Sequence, residues 1–422
     1  MAAQHELAVW LDDVHVATLD EPRSRQLRVG YTQDAVRRYG VNATVISASL
    51  PVRPKPYSVG DSRPVMEGLL PEGEARTRIE NQLGISRGDN YRLLAAIGKD
   101  CAGAIVILPP GEEPVRQLGD VRPLTTTDLA KELADLTEHP LGIADDVRLS
   151  LAGMMDKLLL AKLPDGRWGR PVDGAPSTHI LKPEPDRYPG LARLEAYGLA
   201  LAGATGLRTA QARVISGEEI GSRSVAPYLA VTRYDREVRD DGSVRRIHQE
   251  DFCQATGRLE KYEHEGGPSY LDVTGVLRRF STALRDDLSD LVRTMAMTVA
   301  VGNADAHGRN ISMLYDHNTR RLAPLYDIVP TTSLIPTPGH KPLNTDAGMR
   351  VNGVIPLLAI TGADLVAEAI SWRMPKALAR TLVETTVTAV ADHAAPLAEE
   401  LEIRGRAQET VASRCQELLS SL

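Results

Sequence analysis

Short stretches of alternating apolar and polar residues dominate the first hundred positions, which indicates strands joined by turns. "LAVWLDDVHVATL" has two apolar runs around Asp12 and Asp13 and predicts a β-hairpin. "GLLPEGEARTRIENQLGI" spaces Leu69, Ile79 and Leu83 as an amphipathic helix does. "AIVILPPG" predicts a strand that the two prolines and the glycine end, and the polar stretch 112–127 predicts a linker.

The apolar pattern changes after residue 149. "LLLAKLPDGRWGR" predicts two strands about an Asp-Gly turn, and "STHILKPE" predicts a third strand, which carries Lys182. "LARLEAYGLALAGATGL" predicts a helix, "PYLAVTRYDR" a strand, and residues 240–242 a hairpin turn. From residue 272 helical spacing prevails, interrupted by a hairpin with strands "ISMLYD" and "RLAPLYD" joined through residues 317–320.

This order predicts an α+β fold that is protein-kinase-like and two-lobed, with a β-rich N-terminal subdomain and a helical C-terminal lobe. The expected divisions are an N-terminal subdomain, a linker with a helix, the nucleotide-binding core of the small lobe, and a helical catalytic lobe. Their boundaries are 1–111, 112–148, 149–240 and 241–422.

Composition indicates a folded globular chain rather than a disordered one, with 42% hydrophobic and 25% charged residues among 422. The net charge of −7 argues against a protein that coats nucleic acid by itself. Cys101, Cys253 and Cys415 are far apart and odd in number, which favours reduced thiols. The N-terminus lacks a signal-peptide pattern and no apolar stretch is long enough to span a bilayer, so we expect a cytoplasmic protein without membrane partners.

Acids, an amide and a histidine gather at the ends of the second hairpin. Asn310 lies at the start of its first strand and Asp327 at the end of its second, so strand pairing is expected to bring the two together. A carboxylate and an amide oxygen suit Mg²⁺, with phosphates and water completing the shell. Asp305 is offset and can accept a proton from an attacking hydroxyl, as phosphoryl transfer requires. Alternatively, Asp305, His307 and Asn310 are simply turn formers.

Lysine is rare and arginine common, so Lys182, between apolar neighbours, is informative. A buried ammonium needs a phosphate or an acid, and Glu195 on the following helix can supply a kinase-like Lys–Glu pair. Alternatively, Lys182 lies on an edge strand and reaches water. Upstream, "SLAGMMDK" is a small-residue turn whose backbone N–H groups can approach a phosphate, although it matches neither standard glycine-rich motif. Lys157 at its end reaches phosphate or is a surface charge.

The sequence resembles the HipA family of toxin kinases over nearly its whole length. The resemblance lies in "SLAGMMDKLLLAK", "THILKPE", "LEAYGLALA", "YLAVTRYDR", "GNADAHGRNISML" and "LAPLYDIVP". The N-terminal part agrees in "SASLP", "GLLPEGEARTRI" and "IGKDCAGAI". The loop pattern N-x-D-x-H-x-[KR]-N combined with this N-terminal subdomain is specific to the family.

The resemblance implies an ATP- and Mg²⁺-dependent serine/threonine protein kinase, the toxin of a type II toxin–antitoxin operon. Its expected target is a translation factor, typically an aminoacyl-tRNA synthetase, whose phosphorylation causes growth arrest and persistence. A HipB-like helix-turn-helix antitoxin would bind the kinase and repress the operon. Because of its negative charge, the kinase is expected to reach operator DNA only through that antitoxin.

The resemblance also implies residue roles. Asp305 would be the catalytic base, and Asn310 and Asp327 would ligate Mg²⁺. Ser150 would be autophosphorylated, which would expel the phosphate loop and switch the kinase off. The other nucleotide contacts would come from Lys182, His307 and Arg309, the hinge residues Thr232, Arg233 and Tyr234, and the phosphate loop Ala152, Gly153, Met154, Met155, Asp156 and Lys157.

Three departures from the family pattern keep other interpretations open. Arg309 stands where lysine is usual, residues 154–156 differ from the usual phosphate loop, and Thr232 replaces a common glutamate. One alternative is a weakly active pseudokinase that acts as a binding and co-repressor subunit. Another is a small-molecule kinase, against which the N-terminal subdomain argues. The target cannot be named from the sequence, but substrate choice is expected around residues 185–189 and 259–270.

Overall fold

The computed structural model of the chain describes residues 6–116, 121–137, 157–185, 187–221, 225–334 and 344–422. The N-terminal region, residues 6–108, contains β1 (Glu6–Leu11), β2 (Val14–Asp20), β3 (Arg28–Tyr31), α1 (Gln33–Tyr39), α2 (Val59–Glu67), α3 (Gly73–Gln82), α4 (Asn90–Ile97) and β4 (Ile105–Leu108). Its strands form an antiparallel sheet in the order β3-β2-β1-β4. The predicted hairpin is confirmed, with Asp12 at a φ of 53° in its turn. The predicted amphipathic helix is shorter than its pattern and begins after Glu72.

A central sheet follows. It is built from β5 (Val121–Pro123), β6 (Leu158–Lys162), β7 (Trp168–Pro171), β8 (His179–Pro183), β9 (Ala212–Ile215) and β10 (Tyr228–Thr232), accompanied by α5 (Thr126–Ala134) and α6 (Leu191–Ala204). The strand order is β5-β7-β6-β8-β10-β9, so β8 lies in the interior of the sheet. The stretch predicted as a linker therefore contributes β5, which pairs with β7 and is an edge strand.

The remaining chain is mostly helical around short strand pairs. It contains β11 (Arg236–Val238), β12 (Val244–Arg246), β13 (His248–Asp251), α7 (Phe252–Thr256), α8 (Tyr270–Phe280), α9 (Leu284–Val301), β14 (Ser312–Asp316), β15 (Thr319–Leu322), β16 (Asp346–Val351), β17 (Val354–Pro356), α10 (Gly362–Ser371), α11 (Lys376–Glu400) and α12 (Ala407–Ser420). The long helix expected from residue 272 is divided into α8 and α9. The second predicted hairpin is confirmed as β14 and β15, but β15 ends at Leu322, well before Asp327.

The largest core packs α6, α9 and α11 against the strands that carry the polar loops. It includes the fully buried aromatic side chains of Tyr197, Phe252, Tyr270 and Trp372. The thiols of the cysteine residues are free and buried. Within the described ranges, every helix is too short or too polar to cross a lipid bilayer.

Two buried polar joints attach the N-terminal region to the rest of the chain. Glu250 accepts hydrogen bonds from Ser47 Oγ (2.5 Å) and from the backbone N–H of Ala48 (2.9 Å). Asp100, which follows α4, pairs with the guanidinium groups of Arg233 and Arg236.

Candidate active site

Lys182 on β8 is at the centre of a buried ionic group. Its Nζ lies 2.7 Å from Oε1 of Glu195 on α6 and 2.8 Å from Oδ1 of Asp327. The predicted Lys182–Glu195 pair is therefore confirmed. The alternative of an edge strand with a solvated lysine is wrong, because β8 is flanked by β6 and β10. An ammonium between two carboxylates is fixed in direction and satisfied electrostatically.

The ionic group sets the protonation of its members. Burial would raise the pKa of Asp327, but the Lys182 ammonium outweighs this effect and lowers that pKa to about 2. Burial raises the pKa of Glu195 against the pull of Lys182. The side chain of Asp327 is 39% exposed, compared with 6% for Glu195, so the ionised Asp327 faces the open side.

Lys157 is the last residue of the expected phosphate loop and the first one of it that the structure describes. It is buried, and burial together with the charge of Lys182 lowers its pKa to about 8. Its position beside Lys182 favours the phosphate interpretation over the surface-charge one. The preceding candidates Ser150, Ala152, Gly153, Met154, Met155 and Asp156 lie outside the described residues, so their roles stay predictions.

The 303–310 loop begins where α9 ends in a left-handed Gly302, with a φ of 75°. The Thr331 Oγ1 accepts the Ala304 N–H at 2.7 Å, and the Asn310 Nδ2 donates to the Asp305 carbonyl at 2.8 Å. The second bond uses the amide nitrogen of Asn310 and leaves its amide oxygen for a cation. The loop is thus tied to itself and to the segment that follows Asp327.

Asp305 projects its carboxylate toward Tyr262. The Tyr262 hydroxyl donates a hydrogen bond to Oδ1 of Asp305. Burial raises the pKa of Asp305, this hydrogen bond opposes the rise, and the charge of Asp327 adds to it. The charge of Asp327 therefore acts on Asp305, and the assignment of both acids to one catalytic site stays a prediction.

His307 supports the loop. Its Nδ1 accepts the backbone N–H of Arg309 at 3.3 Å, so in the neutral ring Nε2 carries the proton and faces Asp305 at 3.7 Å. Burial and the charge of Lys261 lower the pKa of His307 to about 3, which keeps the ring neutral. Its edge also packs on the ring of Tyr262, with 5.0 Å between centroids.

Asp327 reaches the site by a backbone route that strand pairing does not supply. It lies beyond β15 with a φ of 59°, a left-handed conformation that is uncommon for aspartate. The preceding Tyr326 donates its hydroxyl to the Arg309 carbonyl at 2.7 Å. This bond links the residue before Asp327 to the 303–310 loop.

The hinge candidates follow β10. Thr232 ends that strand, with Oγ1 3.3 Å from Nε2 of His179. The Arg233 guanidinium is buried and bonded to Asp100 and Asp235, so this side chain has a structural role. The contact of the hinge segment with the nucleotide stays a prediction.

Tyr234, the third hinge candidate, donates its hydroxyl to Gln249. Its ring lies 5.9 Å from that of Tyr326, measured between centroids. The side chain is therefore engaged in packing next to the segment that leads to Asp327.

Three further residues at the site were not assigned from the sequence. Glu72 of the N-terminal region pairs with Arg309 at 2.9 Å and with Lys261 at 3.2 Å, and Tyr262 bonds Asp305. Residues 259–270 had been noted only as a region of substrate choice. Glu72 lies in the family stretch "GLLPEGEARTRI", but the sequence pattern does not indicate its partners, which lie roughly 200 residues away in the chain.

Together, the interior lysine, the paired glutamate and the two acids on loops define a protein of kinase-like fold. The family models agree: residues 7–108 match the HipA N-terminal domain and residues 149–394 match the HipA-like C-terminal domain. The chain belongs to the HipA family.

Several known proteins are similar. Y4mE of Sinorhizobium fredii, named as a kinase only provisionally, is 40% identical over 78% of this chain and 77% of its own. The serine/threonine-protein kinase toxin HipA of Shewanella oneidensis is 33% identical over 62% of this chain and 61% of its own. A solved complex of HipA, HipB and operator DNA from Shewanella oneidensis matches in fold with a TM-score of 0.80, at 23% identity, over 98% of this chain and 97% of that one.

Proposed function

We propose that this protein is an ATP- and Mg²⁺-dependent serine/threonine protein kinase and the toxin of a toxin–antitoxin pair. The observation that carries the proposal is the Lys182 ammonium held between Glu195 and Asp327, beside Asp305. A lysine so placed can bind nucleotide phosphates while an adjacent acid holds a metal and another takes a proton.

The oxygen donors at the site fit Mg²⁺. Asp327 is ionised and partly exposed, and Asn310 has its amide oxygen directed away from the Asp305 carbonyl. Carboxylate and amide oxygens are hard donors of the kind that Mg²⁺ takes alongside phosphate oxygens and water. When bound there, Mg²⁺ would neutralise charge on the phosphates. Among the described residues no group of three histidine, cysteine or acidic side chains forms a metal centre, and a site completed by phosphates does not need one.

Asp305 acts as the general base in this proposal. The acceptor hydroxyl gives its proton to the carboxylate, its oxygen bonds to the γ-phosphorus, and the bond to the departing ADP breaks. Neutral His307 and the Asn310 amide hold the loop that carries Asp305. Lys157 and Lys182 supply positive charge for the phosphates.

The partners follow from the relatives. A HipB-like helix-turn-helix antitoxin fits because the structural neighbour is a HipA–HipB–operator complex. With a net charge of −7, the chain alone binds DNA weakly and reaches it through that antitoxin. We include as parts of the proposal an aminoacyl-tRNA synthetase as the target, growth arrest as the outcome, and autophosphorylation at Ser150.

The test is incorporation of labelled phosphate from ATP with Mg²⁺, followed by mapping of the modified residue. Asp305→Asn is expected to lower the rate by at least about 100-fold, the scale for loss of a general base, while ATP still binds. Asp392→Asn, an exposed change on α11, is the matched control and retains the wild-type rate. Equal labelling of wild type and Asp305→Asn would overturn the proposal. Label transfer to purified aminoacyl-tRNA synthetases tests the target.

A further inference from the structure

The carboxylate of Glu72 is turned away from its own helix. Glu72 is the N-cap residue of α3, with extended φ and ψ of −117° and 166°, yet it makes no side-chain capping bond. An N-cap carboxylate ordinarily accepts an N–H of the first helical turn. Here Oε1 lies 2.9 Å from the Arg309 Nη1 and Oε2 lies 3.2 Å from the Lys261 Nζ.

The contacts are well shielded from solvent. The side chains of Glu72, Arg309 and Lys261 are 18%, 12% and 14% exposed. Burial would raise the pKa of Glu72, but the two cations outweigh it and lower that pKa, so the group is ionised at neutral pH. Ion pairs at this depth are screened less than surface pairs, and Glu72 therefore constrains both partners.

Each partner of Glu72 leads to Asp305 by a short covalent path. Arg309 belongs to the 303–310 loop, where its N–H is bound to His307 and its guanidinium also donates to the Leu259 carbonyl at 3.1 Å. Lys261 immediately precedes Tyr262, whose hydroxyl binds Asp305. One carboxylate of the N-terminal region thus anchors both segments that hold the base.

We propose that Glu72 is a positioning residue for phosphoryl transfer, so that the N-terminal region completes the active site. The inference rests on the proposed kinase function and deepens it. It also assigns Arg309 a different role from the usual loop lysine: its guanidinium is held by Glu72 and fixes the loop. The effect of Glu72 is on the placement of Asp305 and not on ATP binding, which depends on Lys157 and Lys182.

The experiment compares full-length Glu72→Gln with wild type in labelled-phosphate incorporation over a range of ATP concentrations. The control Glu74→Gln removes the same charge from an exposed position on α3. We expect Glu72→Gln to lower the rate at saturating ATP by about 10- to 100-fold, the scale for a misplaced catalytic group, with little change in the KM for ATP. Glu74→Gln keeps both values.

Arg309→Gln and the double variant test the route of the effect. If Glu72 acts through Arg309, both substitutions break the same ion pair. The rate of the double variant Glu72→Gln/Arg309→Gln should then lie within about twofold of the rate of the slower single variant. Effects that multiply overturn the inference, as does a wild-type rate in Glu72→Gln. If thermal denaturation shows that Glu72→Gln is poorly folded, Lys261→Gln is used in its place. A slower rate of phosphate incorporation in Lys261→Gln supports the inference, and an unchanged rate overturns it. An inactive wild type would instead reject the kinase function itself, and the inference with it.

Discussion

Asp100→Asn is the sharpest test of how the N-terminal region is attached. The Asp100 carboxylate is fully buried and lies 2.8 Å from Arg236 Nη2 and 3.2 Å from Arg233 Nη1, with Arg246 Nε at 3.5 Å. It also accepts the backbone N–H and the hydroxyl of Ser177, at 3.0 and 2.7 Å. Asparagine preserves the shape but removes the charge that compensates these guanidinium groups.

The magnitude follows from burial. Asp235 is the other carboxylate that contacts Arg233 and Arg236, so after the change one acid faces cations that are excluded from water. Breaking a buried ion pair by neutralising one partner costs about 3–5 kcal/mol, and domains of ordinary stability unfold at about 5–15 kcal/mol. We therefore expect the free energy of unfolding to fall by at least about 3 kcal/mol.

The free energy of unfolding is measured by urea denaturation at neutral pH. The control is Asp392→Asn, on the exposed face of α11, whose free energy of unfolding should lie within about 0.5 kcal/mol of wild type. The arginines hold the pKa of Asp100 well below its usual value despite burial, so its contribution is full above the unfolded-state pKa and is lost as the pH falls toward the folded one. The difference between wild type and Asp100→Asn should thus be constant at neutral pH and shrink only in strong acid. A loss below about 1 kcal/mol would refute the reasoning, because even one unsatisfied buried charge costs more.

Three further predictions concern the site. Lys182→Met should weaken ATP binding and lower phosphate incorporation by at least about 100-fold, the scale for loss of a preorganised charge. Lys376→Met, at an exposed position, is the control and should change neither. Retained phosphate incorporation in Lys182→Met contradicts the role of Lys182 in binding phosphate. Tyr262→Phe removes the hydrogen bond that lowers the pKa of Asp305, so the acid limb of the pH–rate profile should move to higher pH. An acid limb that does not move contradicts this role of Tyr262. Gly198→Ala would place a Cβ 2.1 Å from the Ile328 carbonyl oxygen, next to Asp327, and should cost about 1–3 kcal/mol in urea unfolding. Gly203→Ala on the same helix meets nothing closer than 3.8 Å and should be neutral or stabilising.

Sequence patterns predicted the features that depend on residues close together in the chain. The hairpins, β8 with its lysine and the α6 glutamate follow from residue spacing, and a charged side chain in an interior strand demands a partner. Strand pairing predicts that Asp327 lies near Asn310, but the pairing does not extend as far as Asp327. The strand expected to deliver it stops at Leu322, and a left-handed residue beyond the strand turns the carboxylate to the site.

Ion pairs between residues distant in sequence could not be predicted. Arg233 follows a strand, and its local pattern does not indicate that it pairs with Asp100, which lies 133 residues earlier. Glu72 precedes α3, and its partners follow α7 and α9. No periodicity encodes such pairs, because the pairing depends on how separately folded elements meet.

The polar contacts of the N-terminal region differ in how far they are buried. The degree of burial determines whether a contact mainly stabilises the fold or mainly positions side chains at the site. Asp100 and Glu250 are buried almost completely, so their bonds fix the attachment and their loss would be felt as stability. Glu72 is partly exposed and pairs with two cations, Arg309 and Lys261, near Asp305. We expect a small displacement of these groups to lower the reaction rate more than the stability of the fold. Removing residues 6–108 would therefore have two separate effects. It would leave the guanidinium groups of Arg233, Arg236 and Arg246 without the Asp100 carboxylate, and it would remove the Glu72 contacts of Arg309 and Lys261, which lie in the two segments that contact Asp305. The N-terminal region is therefore held to the rest of the chain by buried charges and also contributes a carboxylate to the candidate active site.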